Sequence, residues 1–450
     1  MKTTQSLNAF ALKLNKEHYK QIIKLGLPII AAQAGMIIVA FADNIMVGQY
    51  STEALASASF VNNVFNMAIM ACLGFTYGLT PLVGALFSTG KLRKIGELMR
   101  NGLVLNLFYS LLIVGLMSVL YVNLHQIGQP EELLPLIRPY FLLALAGIVP
   151  ISIYNAMGQA AYGMKNTGVP MWIVLFANVL NIFGNWLLIY GNWGFPELGL
   201  TGAGISTFIS RLLCPILLAI YFITAKKYDE VYRGVIQSKV SRPILRKIGF
   251  TSFPVSMQLL FETAAFSGAA VMAGWLGKVE LAAFQVMVTV GSLGFCFYYS
   301  MGSATSVLVA NAAGQGNRRE MRRIGFAGYH LILVMALAAS LAFIFGGRTL
   351  IGLFTHDPLV IAMCLSLIPP MVVYQLGDAT QVNFANSLRG TSKVTSMLWI
   401  ALISYIIVGL PTTFLLRQSI QSIFYSFSAS LFLAAGLFLY FFLKNTREKK

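Results

Sequence analysis

The chain has 450 residues, 57% of them hydrophobic and only 10% charged, and its mean hydropathy is +0.74. That composition excludes an ordinary soluble globular fold and implies a membrane protein. A formal net charge of +17 raises the question of a nucleic-acid partner, but the placement of the bases along the chain gives it another meaning.

A bilayer core of about 30 Å takes about 20 apolar residues per helical span. Twelve such runs begin near Ile22, Leu55, Leu98, Leu133, Val169, Thr201, Ile248, Leu281, Gly325, Pro358, Val394 and Ile420. The first follows "ALKLNKEHYKQIIKLG", a basic amphipathic segment without a small-residue cleavage site, so it is expected to be retained as a span. Inside that run the only ionisable groups between Ile22 and Val47 are Lys24, at its start, and Asp43, within "FADNIMVG". The second run carries Asn62 and Asn66, the fifth Asn178, Asn181 and Asn185, and the sixth Arg211. A polar, basic stretch over residues 225–247 follows. In the seventh run Gln258 and Glu262 fall on one helical face, and in the tenth Tyr374, Asp378 and Gln381 do, because spacings of three and four residues share a face. Cys72, Cys214, Cys296 and Cys364 are scattered singly and read as small apolar packing residues.

Counted loop by loop, 27 of the 32 Lys and Arg lie on one side of the twelve spans. Arg138, Lys278, Arg348 and Arg417 lie on the other, and Arg211 lies within a span. This is the positive-inside bias. It places both termini in the cytoplasm of a multi-pass cell (inner) membrane protein and removes the case for nucleic acid.

The two halves repeat. An offset of 226 residues pairs Pro28 with Pro254, Gly48 with Gly274, Leu55 with Leu281, Val83 with Val309 and Gly90 with Gly316; an offset of 227 pairs Gly163 with Gly390 and Trp172 with Trp399. Six spans separate equivalent positions, an even number, so the halves share one orientation, as in transporters whose repeats are related by an axis along the membrane normal. The expected fold is therefore an all-α integral membrane protein of twelve transmembrane helices in two six-helix bundles, 1–224 and 248–450, joined by a cytoplasmic linker, 225–247. Such architectures carry substrate sites near the midplane between rocking bundles.

Of the 15 Asp and Glu, only Asp43, Glu262 and Asp378 fall deep within spans. An ionised side chain at the centre of a helical span costs about 2.5–3.5 kcal/mol on insertion scales, so burial favours the neutral carboxyl until a cation arrives. The bland readings stay beside this one. Asp43 could cap a helix broken near Gly48, Glu262 and Asp378 could join helices by hydrogen bonds, and the Asn rows divide between packing and cavity lining. Arg211 reads as snorkelling or structurally paired. No nucleophile set, phosphate loop or metal-spaced cluster is visible, so no cofactor and no enzymatic chemistry are expected.

These residues resemble a known family, the multidrug and toxic compound extrusion (MATE) transporters, and within it the NorM-like branch. The resemblance runs from about Gln21 to Lys444 on "FADNIMVG", "PELGLTGAGIST", "FETAAF", "YQLGDATQ" and "SLRGTSKV". It implies export of amphiphilic, often cationic drugs driven by inward flow of Na⁺ or H⁺. It also implies that Glu262, Tyr374 and Asp378 form the coupling-cation site, with Na⁺ the tentative metal. Asp43 matches the acid of the N-terminal half, Gln285 a cavity glutamine, and Asp357 in "THDPL" an external-side acid. Together with Asn178, Asn181 and Asn185, these make the expected substrate-binding set. Where some relatives carry a fifth-span Asp, this chain has Asn185 in "LNIFGNWLL", which puts a two-acid proton site in the N-terminal half in doubt. Two hard-cation carboxylates beside a hydroxyl favour Na⁺ as coupling ion over H⁺. A monomer in the lipid bilayer is expected. The alternatives are a lipid-linked saccharide flippase, which would want several bases in the cleft where only Arg211 is a candidate, and an intramembrane enzyme or receptor scaffold.

Overall fold

The computed structural model describes residues 15–127 and 130–447, so residues 11–14 of the basic lead segment lie outside it. All regular elements among the described residues are helical, and eleven helical runs are long and apolar enough to cross a membrane, twelve when one bent pair is counted. In chain order they are α1 (Lys16–Tyr50), α2 (Thr52–Phe87), α3 (Leu92–Val122), α4 (Glu131–Gly163), α5 (Gly168–Tyr190), α6 (Gly199–Thr224), α7 (Arg242–Leu276), α8 (Lys278–Gly314), α9 (Arg318–Gly352), the bent pair α10 (Pro358–Ser366 and Ile368–Gly390), α11 (Thr395–Leu415) and α12 (Ile420–Asn445). Several begin a turn or more before the apolar run, because a helix continues past the hydrocarbon edge until a cap ends it. Ser51, for example, accepts from the Ala54 N–H at 2.9 Å and starts α2, and Asn317 accepts from the Glu320 N–H at 3.0 Å and starts α9.

Breaks within spans trace to proline, which has no N–H and crowds the carbonyl four residues back. Pro81 stands four residues after Tyr77, where α2 is interrupted between Thr76 and Leu79. Pro150 interrupts α4 at Gly147, and Pro369 and Pro370 accompany the 54° bend of α10 at Leu367. In α11 the response is different. Ahead of Pro411 the helix widens into a π-helical segment, Leu402–Gly409, in which the Leu410 N–H reaches back five residues to the Tyr405 carbonyl.

The chain forms two compact units: Ala31–Leu260, here the N-unit, and Met1–Ile30 with Phe261–Lys450, the C-unit. The helices α1 and α7 each cross that division, whereas the bundle limits expected at 224 and 248 follow the linker. Within the N-unit the linker is not a loose tether. Its short helix, Asp229–Gln237, packs on α3 where Gly96 and Gly234 bring the two backbones together so closely that a Cβ on either would overlap the other chain. Arg100 then donates to the carbonyls of Val235 (3.3 Å), Ile236 (3.0 Å) and Ser238 (2.5 Å), closing the C-terminus of that helix with a cation, the end that favours one.

The repeat is written in the backbone of each unit. Gly90 and Gly316, 226 residues apart, both adopt left-handed φ, 69° and 72°; Lys165 and Ser392, 227 apart, are both at 61°. A Cβ at Gly163 would meet the Val83 side chain at 2.8 Å in the N-unit, and one at Gly390 would meet Val309 at 2.8 Å in the C-unit. The same small-to-branched contact therefore closes the same helix pair twice.

Two candidate cation sites

In the N-unit, Asp43 sits half-buried on α1, seven residues before that helix ends, so it caps nothing. It is held instead by the amides of α5. Asn185 Nδ2 donates to Asp43 Oδ1 at 2.5 Å. Asn181, with its amide oriented so that its oxygen accepts from the Thr207 N–H (3.1 Å) and hydroxyl (3.2 Å), donates to the same Asp43 oxygen at 3.0 Å. The two asparagines share a face by their spacing of four, and they are 3% and 0% exposed. Arg211 on α6 lies near enough for its charge to act on Asp43 and on Tyr140. Gly147, at the break of α4, leaves it room, since a Cβ there would come within 3.0 Å of the guanidinium and its stem. The Tyr140 hydroxyl in turn donates to Asn62 at 3.4 Å. Asn178, a turn before Asn181, keeps a buried Nδ2 without a hydrogen-bond partner among the described residues.

The C-unit site is built differently. Asp378, on the inner half of α10, is 2% exposed and Glu262 on α7 is 9% exposed. The two carboxyls are close enough to repel each other, and Tyr374, one turn before Asp378, feels both. No Lys or Arg among the described residues forms an ion pair with Asp378. The surrounding groups are amides and phenols. Gln381 donates to Glu262 Oε2 at 3.4 Å, and the Tyr298 hydroxyl of α8 donates to Gln375 Oε1 at 2.6 Å. Phe266 of α7 stands edge-on to Tyr374, with ring centroids 6.2 Å apart, and Phe427 of α12 stacks on Tyr374 at 6.1 Å while meeting Phe266 edge-on at 4.5 Å, so the three rings form one cluster. Three buried polar atoms are left over: Gln375 Nε2, Gln381 Oε1 and the Tyr405 hydroxyl. An unsatisfied buried donor or acceptor costs about 1–3 kcal/mol; the Tyr405 hydroxyl stands in hydrogen-bonding range of the Gln381 amide, whereas Gln375 Nε2 keeps no partner among the described residues. Carboxylates and hydroxyls form a donor set for a hard cation or a proton rather than a transition metal, and among the described residues no group of three or more His, Cys, Asp or Glu comes together.

Gln285 and Asp357, expected to serve the substrate, belong to neither of these two clusters. Gln285 is exposed on α8, nine residues and about 13 Å of helix rise before Gly294, which abuts Gln375 and Tyr298. Asp357 is exposed and caps the first half of α10, accepting from the Leu359 N–H at 2.8 Å. Tyr298, Gln375 and Tyr405 were not singled out by sequence reasoning, which searched for acids and Asn rows. The repeat offset of 227 could have found Tyr405, since it pairs that residue with Asn178.

Twelve helical spans in two repeated halves, with carboxyls buried inside them, define a polytopic membrane transporter. The chain belongs to the MatE family, whose model matches residues 28–187 and 254–415, one match in each half. It is 28% identical over 404 residues to the "Multidrug resistance protein NorM" of Vibrio cholerae, covering 90% of this chain and 88% of that protein. It is 29% identical over 392 residues to the "Probable multidrug resistance protein NorM" of Xanthomonas axonopodis pv. citri, covering 86% and 84%. Among solved structures, the eukaryotic MATE transporter AtDTX14 has the same fold, with a TM-score of 0.86 at 18% identity over 96% of this chain and 98% of that one. The MATE fold and the MatE family are thereby those of this protein.

Proposed function

We propose that the protein is a cation-coupled antiporter of the inner membrane that exports amphiphilic, often cationic compounds, with both termini in the cytoplasm and one chain as the working unit. The observation that carries this reading is the acid pair of the C-unit. Asp378 is buried, with Glu262 and the Tyr374 phenol beside it and no Lys or Arg ion-paired to it among the described residues. A carboxylate in that position costs about 2.5–3.5 kcal/mol, and an entering cation relieves both that cost and the repulsion between the two acids. Five side-chain oxygens from Glu262, Asp378 and Tyr374 suit Na⁺. Asp43, with the Asn178, Asn181 and Asn185 row, serves the exported compound. Cation binding favours the conformation that releases the drug outside, and drug binding favours the one that releases the cation inside, each ligand shifting the equilibrium by its difference in affinity for the two states.

The names of the relatives support the drug half of this reading, and the donor set supports the ion half. Efflux from reconstituted vesicles with Na⁺ outside and no pH difference tests it. The parent should be stimulated by Na⁺, and Glu262→Gln and Asp378→Asn should each remove the stimulation. A parent that ignores Na⁺ but responds to a pH gradient assigns the coupling to H⁺, and one that responds to neither rejects coupling at this site.

A further inference from the structure

The residue that the acid pair leaves unused is Tyr405. Its ring is 0% exposed, and its hydroxyl makes no hydrogen bond of ordinary geometry among the described residues. Yet it lies within the fields of Glu262, Asp378 and Tyr374, and beside the Gln381 amide. It belongs to α11, whereas every residue so far placed in the C-unit site comes from α7, α8, α10 or α12. Its position depends on the π-helical segment Leu402–Gly409, in which it is the fourth residue and supplies the carbonyl that closes the five-residue turn. π-helical segments inside α-helices commonly sit at functional sites.

Two close approaches fix that segment. Gly268, six residues after Glu262 on α7, has so little room that a Cβ would overlap the end of Leu410, and at Gly409 a Cβ would meet the Ser430 side chain of α12 at 3.0 Å. The segment is thus seated against α7 and α12, and its backbone packing places Tyr405 beside the Gln381 amide. At the repeat offset of 227 its counterpart is Asn178, which also holds a buried polar group without a partner, and Pro411 falls opposite Gly184. The N-unit helix α5 has no proline there and continues as an ordinary α-helix through Tyr190.

We infer that the Tyr405 hydroxyl is a further ligand of the coupling cation, carried into the acid pair by the proline-driven π-helical turn of α11. This rests on the reading of Glu262 and Asp378 as the cation site. A phenol oxygen accepts a hard cation as an oxygen ligand, and a hydroxyl whose contact with the Gln381 amide falls short of ordinary hydrogen-bond geometry gives up little when the ion arrives.

The test is equilibrium binding of ²²Na⁺ to the purified full-length protein, with melting of the Na⁺-free protein measured alongside, for the parent, Tyr405→Phe and Glu262→Gln. Tyr405→Phe removes one oxygen and nothing else. Its Na⁺ dissociation constant should rise about tenfold, the worth of one contact to a charged group, while the Na⁺-free melting temperature is unchanged or higher because only the poorly formed contact with Gln381 is lost. Parent-like Na⁺ affinity in Tyr405→Phe, with Glu262→Gln weakened, overturns the role of Tyr405 and leaves the acid pair standing. Parent-like affinity in both variants overturns the acid pair and Tyr405 with it. A fall in the Na⁺-free melting temperature of Tyr405→Phe, accounting for its weaker binding, makes the residue structural and also overturns the inference.

Discussion

The two units carry the same helices and opposite electrostatics. In the N-unit one carboxylate, Asp43, meets two asparagine amides and the charge of Arg211, so the protein supplies its own counter-groups. In the C-unit two carboxyls repel each other among phenols and amides, and no base is ion-paired to Asp378 among the described residues. The repeat offsets make the divergence concrete: Asp43 stands opposite Ala269, and Arg211 opposite Phe438. A duplicated scaffold has kept its backbone turns and glycine contacts and changed the charge balance of its interior. The unit that already balances its acid is suited to recognising a compound by charge and hydrogen bonds, and the one that does not is suited to taking up an ion.

The contrast can be broken most severely at Asp43. Asp43→Asn should cut resistance to cationic drugs at least tenfold in cells expressing it normally, because removal of one partner of a buried charged group costs several kcal/mol. Retained resistance would leave that acid without a substrate role. A second effect concerns stability and should have opposite signs in the two units. Arg211→Ala leaves Asp43 without its counter-charge and should lower stability by about 1–3 kcal/mol, whereas Asp378→Asn removes a buried acid that no base is paired with among the described residues and should leave the protein as stable or more so. Thermal melting in detergent reads both, and equal losses would erase the electrostatic difference. Smaller still, the mirrored glycines Gly163 and Gly390 should each lose about 1–3 kcal/mol on replacement by Ala, the usual cost of overpacking. A loss confined to one would mean that only one unit keeps the contact.

Hydropathy made the twelve spans legible because a bilayer imposes length and apolarity on each one, and the breaks at Pro81, Pro150 and Pro369–Pro370 follow from residues visible in the string. The compact units were less legible. Their limits fall inside α1 and α7, and the linker helix is bound to α3 through Gly96, Gly234 and Arg100, a packing relation that no local pattern reveals. Buried acids stood out in sequence because they are costly in a span. Tyr298, Gln375 and Tyr405 did not, since Tyr and Gln are unremarkable there until the fold gathers them near the acids. Asp357 carried a second signal in sequence: an Asp immediately before a Pro is an ordinary helix start, and the residue does cap the first half of α10.

The side of the membrane proposed for each loop rests on the basic bias alone. Single cysteines at Gly194 and Lys239 should label from outside and only after permeabilisation, respectively. Gln129, also expected outside, lies beyond the described residues. Labelling of Lys239 in intact cells would invert the topology.

The division of labour between the units is tested most directly by ²²Na⁺ binding to Asp43→Asn and Asp378→Asn, each purified and compared with the parent. Asp378→Asn should lose saturable Na⁺ binding, and Asp43→Asn should retain it with parent-like affinity. Loss of Na⁺ binding in Asp43→Asn with retention in Asp378→Asn would contradict the assignment and place the coupling ion in the N-unit.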